Sequence, residues 1–450
     1  MKRIHFIGIG GSGMSALALI AIQKGMDVSG SDIENNTKIE KLKKMGAKIN
    51  IGHSRENISS NIDKVVYSSA IKRENSELVE AKKQKIKIEQ RARYLAGIFE
   101  NKKEIVVVGT HGKTTTTALG ANVLIEKEGN KASYYIGGIL KETGKNGNYG
   151  KGKWAVLELD ESDGSFLNFN KDIALINNIE LEHVAYYKNE KELMQKFSKF
   201  INNFKGKIYI EVQSFEKIKK LIDNRKNIIT VGLDRGDSKP IDFGPKHFKV
   251  KEGKINLSLH GIYNTFNSYL LYTALMDNGF DFMTIKKGLE TFTGVKRRQE
   301  IIYENDKITL IDDYGHHPTE IKNTFKSLKE NFKYNNRYVL FQPHRYSRFK
   351  YFKDEFQKVI TSLDATVIIL PVYSASEEND KKINSYSFYK KVKKIKNSIY
   401  YAENLTEGFN VLISLLRNDS LVVSFGAGDV NQILKMLKSR LIKKEKKGLK

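Results

Sequence analysis

Short apolar runs rich in β-branched and aromatic residues recur along the chain. Each ends in glycine or polar residues, and most are followed by apolar positions at helical spacing. Ile4–Ile7 is the first, leading through Gly8 into a helix with Ala16, Leu17 and Ile20 on one face. Val28–Gly30, ending at Asp32, Lys64–Tyr67 and Ile86–Glu89 read as further strands, and Arg91–Glu100 as a helix. Ile105–Val108 opens a second block. Its later strands are Trp154–Leu159, Ile173–Asn177, Lys207–Val212 and Ile228–Val231, and a helix carries Leu270, Leu271 and Ala274 on its apolar face. A third block has Thr309–Ile311, Tyr338–Phe341, Val367–Leu370 and Leu421–Ser424. The alternation predicts an α/β protein, and polar functional types gather at the strands' C-terminal ends, where open sheets bind ligands. Boundaries are expected at 1–97, 98–296 and 297–450. The glycine-rich stretch Gly137 to Gly152 is expected to be a mobile connection.

Composition narrows the classes. At 450 residues and 40% hydrophobic, the chain can bury several cores. It has no cysteine, which rules out disulfides and thiol catalysis. No leader pattern precedes the first strand and no apolar run approaches a membrane span, so a cytoplasmic protein without membrane contact is expected. The net charge of +25 raises nucleic acid as a partner. The lysines are scattered, however, with small clusters at Lys82–Lys87, Lys390–Lys396 and Lys443–Lys450. No arginine-rich arm or aromatic-interleaved stripe appears, so a lysine-rich solvated surface is the preferred reading, with no nucleic-acid partner.

Two stretches carry phosphate chemistry. EIVVVGTHGKTTTTA, Glu104–Ala118, is strand, glycine loop and helix, a design that turns backbone N–H groups and a helix N-terminus toward an anion. Lys113 adds a charge for terminal phosphates, and the Thr114 hydroxyl can hold Mg²⁺. Val107 stands where GxxxxGK[ST] has its first glycine, so a plain strand–helix turn is the alternative. IGIGGSGM puts Gly8, Gly10, Gly11 and Gly13 between strand and helix, with Asp32 about twenty residues on, the dinucleotide-type fingerprint. It suits NAD or any other diphosphate; Asp32 would take a ribose hydroxyl or cap a helix. Glu158, Asp160, Glu161 and Asp163 at a strand end can bind Mg²⁺ or remain solvated. His183 is a metal or phosphate ligand or a packed histidine. Asn264 and Asn267 share one helix face, as site amides or as caps. Arg345 and Arg348 suit a carboxylate or phosphate, or surface ion pairs. A triphosphate loop with acids beside it, together with a bare diphosphate loop, points to ATP used against a nucleotide-like substrate. A dehydrogenase built on Gly8–Gly13 would leave the Lys113 loop without a task.

HFIGIGGSGMSALA, GSDI, VYSSAI, GTHGKTTTT, ELDESDGSF, DDYGHHPTE, QPHRYSR and FGAGD together resemble the Mur ligase family in order and spacing over essentially the full length. The resemblance implies three domains: N-terminal Rossmann-like, central P-loop-type ATPase and C-terminal Rossmann-like. It implies ATP and Mg²⁺ as cofactors, UDP-N-acetylmuramate and L-alanine as partners, and an acyl phosphate on the way to the amide. A sister ligase adding another amino acid or a peptide is the alternative. Gly109, Thr110, His111, Gly112, Lys113, Thr114 and Thr115 match the ATP cradle; Thr114, Glu158 and His183 match the metal site. Asn264 and Asn267 match amides near the nucleotide, and Arg298 and Asp313 match groups brought by the C-terminal domain. Tyr314, His344, Arg345 and Arg348 resemble the surroundings of the amino acid and reacting carboxylate. Gly8, Gly10, Gly11, Gly13, Asp32 and Ser69 resemble the UDP-sugar site. Glu182 and Tyr263 stand where the family usually has Asp and His. A monomer or homodimer is expected.

Overall fold

The computed structural model describes residues 2–448, apart from 162–163, 183–185, 188, 376, 379 and 381–382. Three sheets organise it. The N-terminal sheet has five parallel strands, in spatial order Lys48–Ile51, Asp27–Asp32, Arg3–Ile7, Lys64–Tyr67 and Lys87–Gln90. The central sheet runs Ile228–Val231, Lys207–Glu211, Ile173–Ile176, Lys103–Val108, Trp154–Glu158, Ser133–Leu140 and Lys145–Asn148. Its last pair is antiparallel and the others are parallel. The C-terminal sheet runs Glu300–Asn305, Ile308–Asp313, Ser420–Phe425, Asn336–Phe341, Thr366–Ile369 and Ile399–Tyr401, antiparallel only at its first pair. Inner strands such as Ile105–Val108 and Leu421–Val423 are buried on both faces, which explains their unbroken apolar runs.

Gly137 to Gly152 is not a loose connection. Ser133–Leu140 and Lys145–Asn148 form an edge hairpin on the central sheet. KNGN carries no hydropathy signal because its burial depends on close backbone approach. A Cβ on Gly147 would fall 3.0 Å from the Ala16 carbonyl oxygen, so the N-terminal helix Ser12–Gln23 packs directly on this strand. Asn146 Nδ2 donates to Ser12 O at 2.8 Å, and Gln23 Nε2 to Asn148 Oδ1 at 2.9 Å. A small antiparallel sheet, Asp242–Gly244, His247–Val250 and Gly253–Asn256, also lacked a sequence signal.

The joints between sheets differ in kind. One apolar cluster runs from Phe6 and Leu17 of the N-terminal domain into Tyr135, Ala155 and Leu157 of the central one. The apolar clusters of the C-terminal sheet contain only residues beyond 300. Polar side chains join it to the centre instead, a union that water can replace at small cost.

Candidate active site

The phosphate loop follows the Lys103–Val108 strand and opens the helix Lys113–Glu128. Gly109 and Gly112 have φ of 126° and 81°, conformations that β-carbon sterics discourage. A Cβ at Gly109 would also lie 2.8 Å from Asn178 O, and one at Gly112 2.8 Å from Asn267 Oδ1. The loop is braced from the next strand. Asn178 Oδ1 accepts from the His111 amide at 2.8 Å, while Asn177 Nδ2 donates to Thr116 Oγ1 and Asn267 Oδ1, both at 2.7 Å. Thr110 Oγ1 donates to Glu180 O at 2.8 Å. Thr115 lines the adjoining cleft. Asn267 therefore supports the loop. Asn264, also buried, donates to His260 O at 2.7 Å and lines the same cleft.

Lys113 lies folded within its loop. Its Nζ donates to Gly109 O at 2.5 Å and Thr110 O at 3.2 Å, and pairs with Glu161 at 2.8 Å. Burial works against its charge, but Glu161 and Asp160 outweigh burial and raise its pKa. Thr114 Oγ1 donates to Glu158 Oε1 at 2.8 Å, and the Gly137 amide donates to Glu158 Oε2 at 2.7 Å. A hydroxyl and a carboxylate this close are oxygen donors of the kind a hard cation takes. His183, expected as a third ligand, lies outside the described residues, as does Asp163.

The cleft between the central and C-terminal sheets is walled by Leu259, Phe266, Phe292 and Val295, with Asn264, Arg298, Asp313 and Glu320 supplying polar groups. Arg297 and Gln299, at φ of 62° and 46°, flank Arg298 in left-handed backbone at the junction. Arg298 Nη1 lies 3.7 Å from Glu320, and its guanidinium covers Tyr314 at 5.2 Å. Burial pushes Asp313 up to about 6, although Arg298 and the amides of Gln299 and Gly315 favour its charge. His111 reaches across the cleft, Nδ1 to Glu320 at 3.2 Å, with Nε2 3.3 Å from Glu180. Burial alone would lower its pKa; the two carboxylates prevail and raise it to about 10.

Arg348 is buried, with Nη2 donating to Glu182 Oε1 at 2.9 Å and Nη1 to His344 Nδ1 at 3.1 Å. His316 Nε2 lies 3.2 Å from the same Glu182 oxygen. Burial, aided by the neighbouring His316 and by the Arg348, Arg345 and Arg297 guanidinium groups, pushes His344 down to about 2, so it is neutral; its ring stacks on Tyr373. Arg345 is exposed, at φ 68°, 3.8 Å from Glu377. Tyr314 and His316 meet edge to face at 5.4 Å. In the N-terminal domain Asp32 neither caps a helix nor stands free. Its Oδ2 accepts from the Gly10 amide at 2.7 Å, and Asn36 caps the following helix. Gly8 turns at φ 80°, Gly11 precedes the first helix, and Arg91 Nη1 would lie 2.5 Å from a Cβ on Gly13. Ser69 is exposed in the turn after Lys64–Tyr67. Glu161, read from sequence as a Mg²⁺ ligand or a solvated acid, is instead buried against Lys113. The support from Asn177, Asn178 and Glu320 was not assigned from sequence; of these only Glu320 had a local signal, as the N3 acid of a capping box with His317.

Three fused α/β units with a phosphate loop at a domain junction define a multidomain nucleotide-dependent enzyme. Three family descriptions match in chain order: Mur ligase family, catalytic domain, at residues 3–103; Mur ligase middle domain at 107–275; and Mur ligase, glutamate ligase domain, at 297–428. The chain belongs to the Mur ligase family. It is 38% identical to the UDP-N-acetylmuramate–L-alanine ligase of Sulfurihydrogenibium over 454 residues, 99% of each chain. It is 37% identical to that of Aquifex aeolicus over 447 residues, 96% of each. The solved UDP-N-acetylmuramate-alanine ligase of Thermotoga maritima superposes with a TM-score of 0.84 at 28% identity, covering 99% of this chain and 100% of that one. A murein peptide ligase from Psychrobacter arcticus shares the fold at a TM-score of 0.70 and 21% identity, with 98% of each chain covered.

Proposed function

We propose that this chain is the ATP-dependent ligase that joins L-alanine to the carboxylate of UDP-N-acetylmuramate in peptidoglycan precursor synthesis. The supporting observation is the Glu182 junction. This carboxylate, whose charge acts on Lys113, also holds Arg348 and His316, so these C-terminal side chains converge toward the phosphate loop. A phosphoryl donor and a carboxylate acceptor need that convergence.

A carboxylate resists attack by an amine because its own charge repels the nucleophile. The muramate carboxylate oxygen attacks the γ-phosphorus of ATP, ADP leaves, and an acyl phosphate forms. The alanine amine then adds to the acyl carbon, loses a proton, and inorganic phosphate departs as the amide forms. The glycine-loop amides hold the triphosphate, and Lys113 exchanges its loop carbonyls for the terminal phosphates. Thr114 and Glu158, with His183 as a third candidate, fit Mg²⁺, which neutralises phosphoryl charge when bound. Arg298 and Asp313 approach the nucleotide from the C-terminal side. Tyr314, His344, Arg345 and Arg348 receive the amino acid and orient the carboxylate; Arg348, desolvated and fork-shaped, suits an anion. Gly8–Gly13, Asp32 and Ser69 hold the nucleotide sugar. Boundaries at 1–97, 98–296 and 297–450 belong to this reading and are supported by the strand blocks and by the left-handed backbone at Arg297.

Phosphate release tests the reading. With ATP, Mg²⁺ and UDP-N-acetylmuramate, L-alanine is expected to drive sustained release; release only with an acidic amino acid or a peptide would reassign the chain to a sister activity.

A further inference from the structure

The helix Thr37–Lys44 docks by its N-terminus on the glycine loop of the first domain. A Cβ on Gly10 would fall 2.6 Å from Asn36 Nδ2, the side chain that caps this helix. Lys38 lies in its first turn, where the helix dipole disfavours a cation. Its Nζ donates to Gly10 O at 3.3 Å and to Ser12 Oγ at 3.1 Å. Ser12 opens the helix Ser12–Gln23, whose N-cap Gly11 offers no side-chain acceptor. The ammonium thus sits where the N-termini of two helices meet.

Lys38 is also electrostatically uncomfortable. Burial lowers its pKa; Asp32 partly opposes that, and the Arg297 guanidinium of the C-terminal domain lowers it further. Among the described residues it makes no ion pair, and the nearby Asp32 binds the Gly10 amide instead. Its two contacts use two of its three donors. A partly desolvated cation at the wrong end of a helix, facing a second cation, becomes favourable once an anion lies between them.

We propose that Lys38 is a binding residue for the diphosphate of the nucleotide sugar, supplying the charge that the glycine loop lacks. The proposal rests on the ligase reading above. It assigns the N-terminal site a lysine contact in addition to backbone amides, with Arg297 reinforcing the field when the C-terminal domain is closed.

Calorimetric titration of the full chain with UDP, uridine and ATP tests it. Lys38→Gln is expected to weaken UDP binding by about 10- to 100-fold, the range of a charge-assisted hydrogen bond. Uridine and ATP affinities should stay within about twofold, because neither contact involves the first diphosphate. Lys38→Arg, which keeps the charge, should recover UDP affinity. Unchanged UDP binding in Lys38→Gln, equal losses for UDP and uridine, or a Lys38→Arg loss as large as that of Lys38→Gln overturns the proposal while leaving the ligase reading intact. A wild-type chain that does not bind UDP overturns both.

Discussion

Glu182 of the central domain and Arg348 of the C-terminal domain meet through a 2.9 Å hydrogen bond, their side chains only 6% and 7% exposed. The same carboxylate lies 3.2 Å from His316, so one acid ties a C-terminal helix and a C-terminal loop to the centre. Among the described residues no apolar cluster spans this boundary. Closure of the C-terminal domain therefore depends heavily on a few charged contacts. Glu182→Ala leaves Arg348 desolvated in the closed form, a penalty of about 3 kcal/mol. Opening relieves that penalty, so kcat/KM for L-alanine should fall about 100-fold. The radius of gyration in small-angle scattering should rise, and UDP binding should not change.

Lys113 and the N-terminal glycine loop belong to different sheets. Lys113→Ala should lower turnover by at least about a thousandfold, because charge neutralisation dominates phosphoryl transfer. Calorimetry should find UDP-N-acetylmuramate affinity intact. A parallel loss of that affinity would contradict the separation of the two phosphate sites.

Thr114 and Glu158 share a hydrogen bond and a candidate cation. Glu158→Gln removes the charge while keeping the shape. The Mg²⁺ concentration for half-maximal activity should rise about tenfold or more. ATP binding measured in EDTA should be unaffected, since the loop amides remain.

Gly147 allows the first helix to lie against the central edge strand. Gly147→Val should cost about 1–3 kcal/mol through overpacking. Calorimetric melting should move the N-terminal and central transitions, which share an apolar cluster, and leave the C-terminal one in place.

Glu77 is buried among His5, Ser31, His53 and Asn57. Burial would raise its pKa, but the adjacent His5 ring and hydrogen bonds from Ser31 and Asn57 prevail and lower it to about 2. A depressed carboxyl stabilises the fold above its unfolded value and loses that contribution as pH falls through the folded one. Glu77→Gln should therefore lower Tm near neutral pH. The difference from wild type should shrink from about pH 4.5 down to about 2.

Much of the α/β order was legible because strands buried on both faces need unbroken apolar runs, and phosphate loops need glycine followed by a helix start. Helical spacing put Asn264 and Asn267 on one face but left them as site amides or caps, and only the family resemblance tied them to the nucleotide. Their partners His260 and Asn177 were not found, because hydrogen bonds across strands leave no local pattern. The Lys145–Asn148 strand was invisible for a related reason: its glycine is defined by a helix more than a hundred residues away. The run of apolar and polar positions determined most of the buried strands and where the glycine turns fell, since both follow from backbone sterics within a few neighbouring residues. Only the tertiary structure decided that Glu182 would face Arg348, that Lys113 would rest on Glu161, and that the C-terminal sheet would join mainly through polar side chains. Those outcomes depend on the relative placement of whole sheets, and distance through space is not written in distance along the chain.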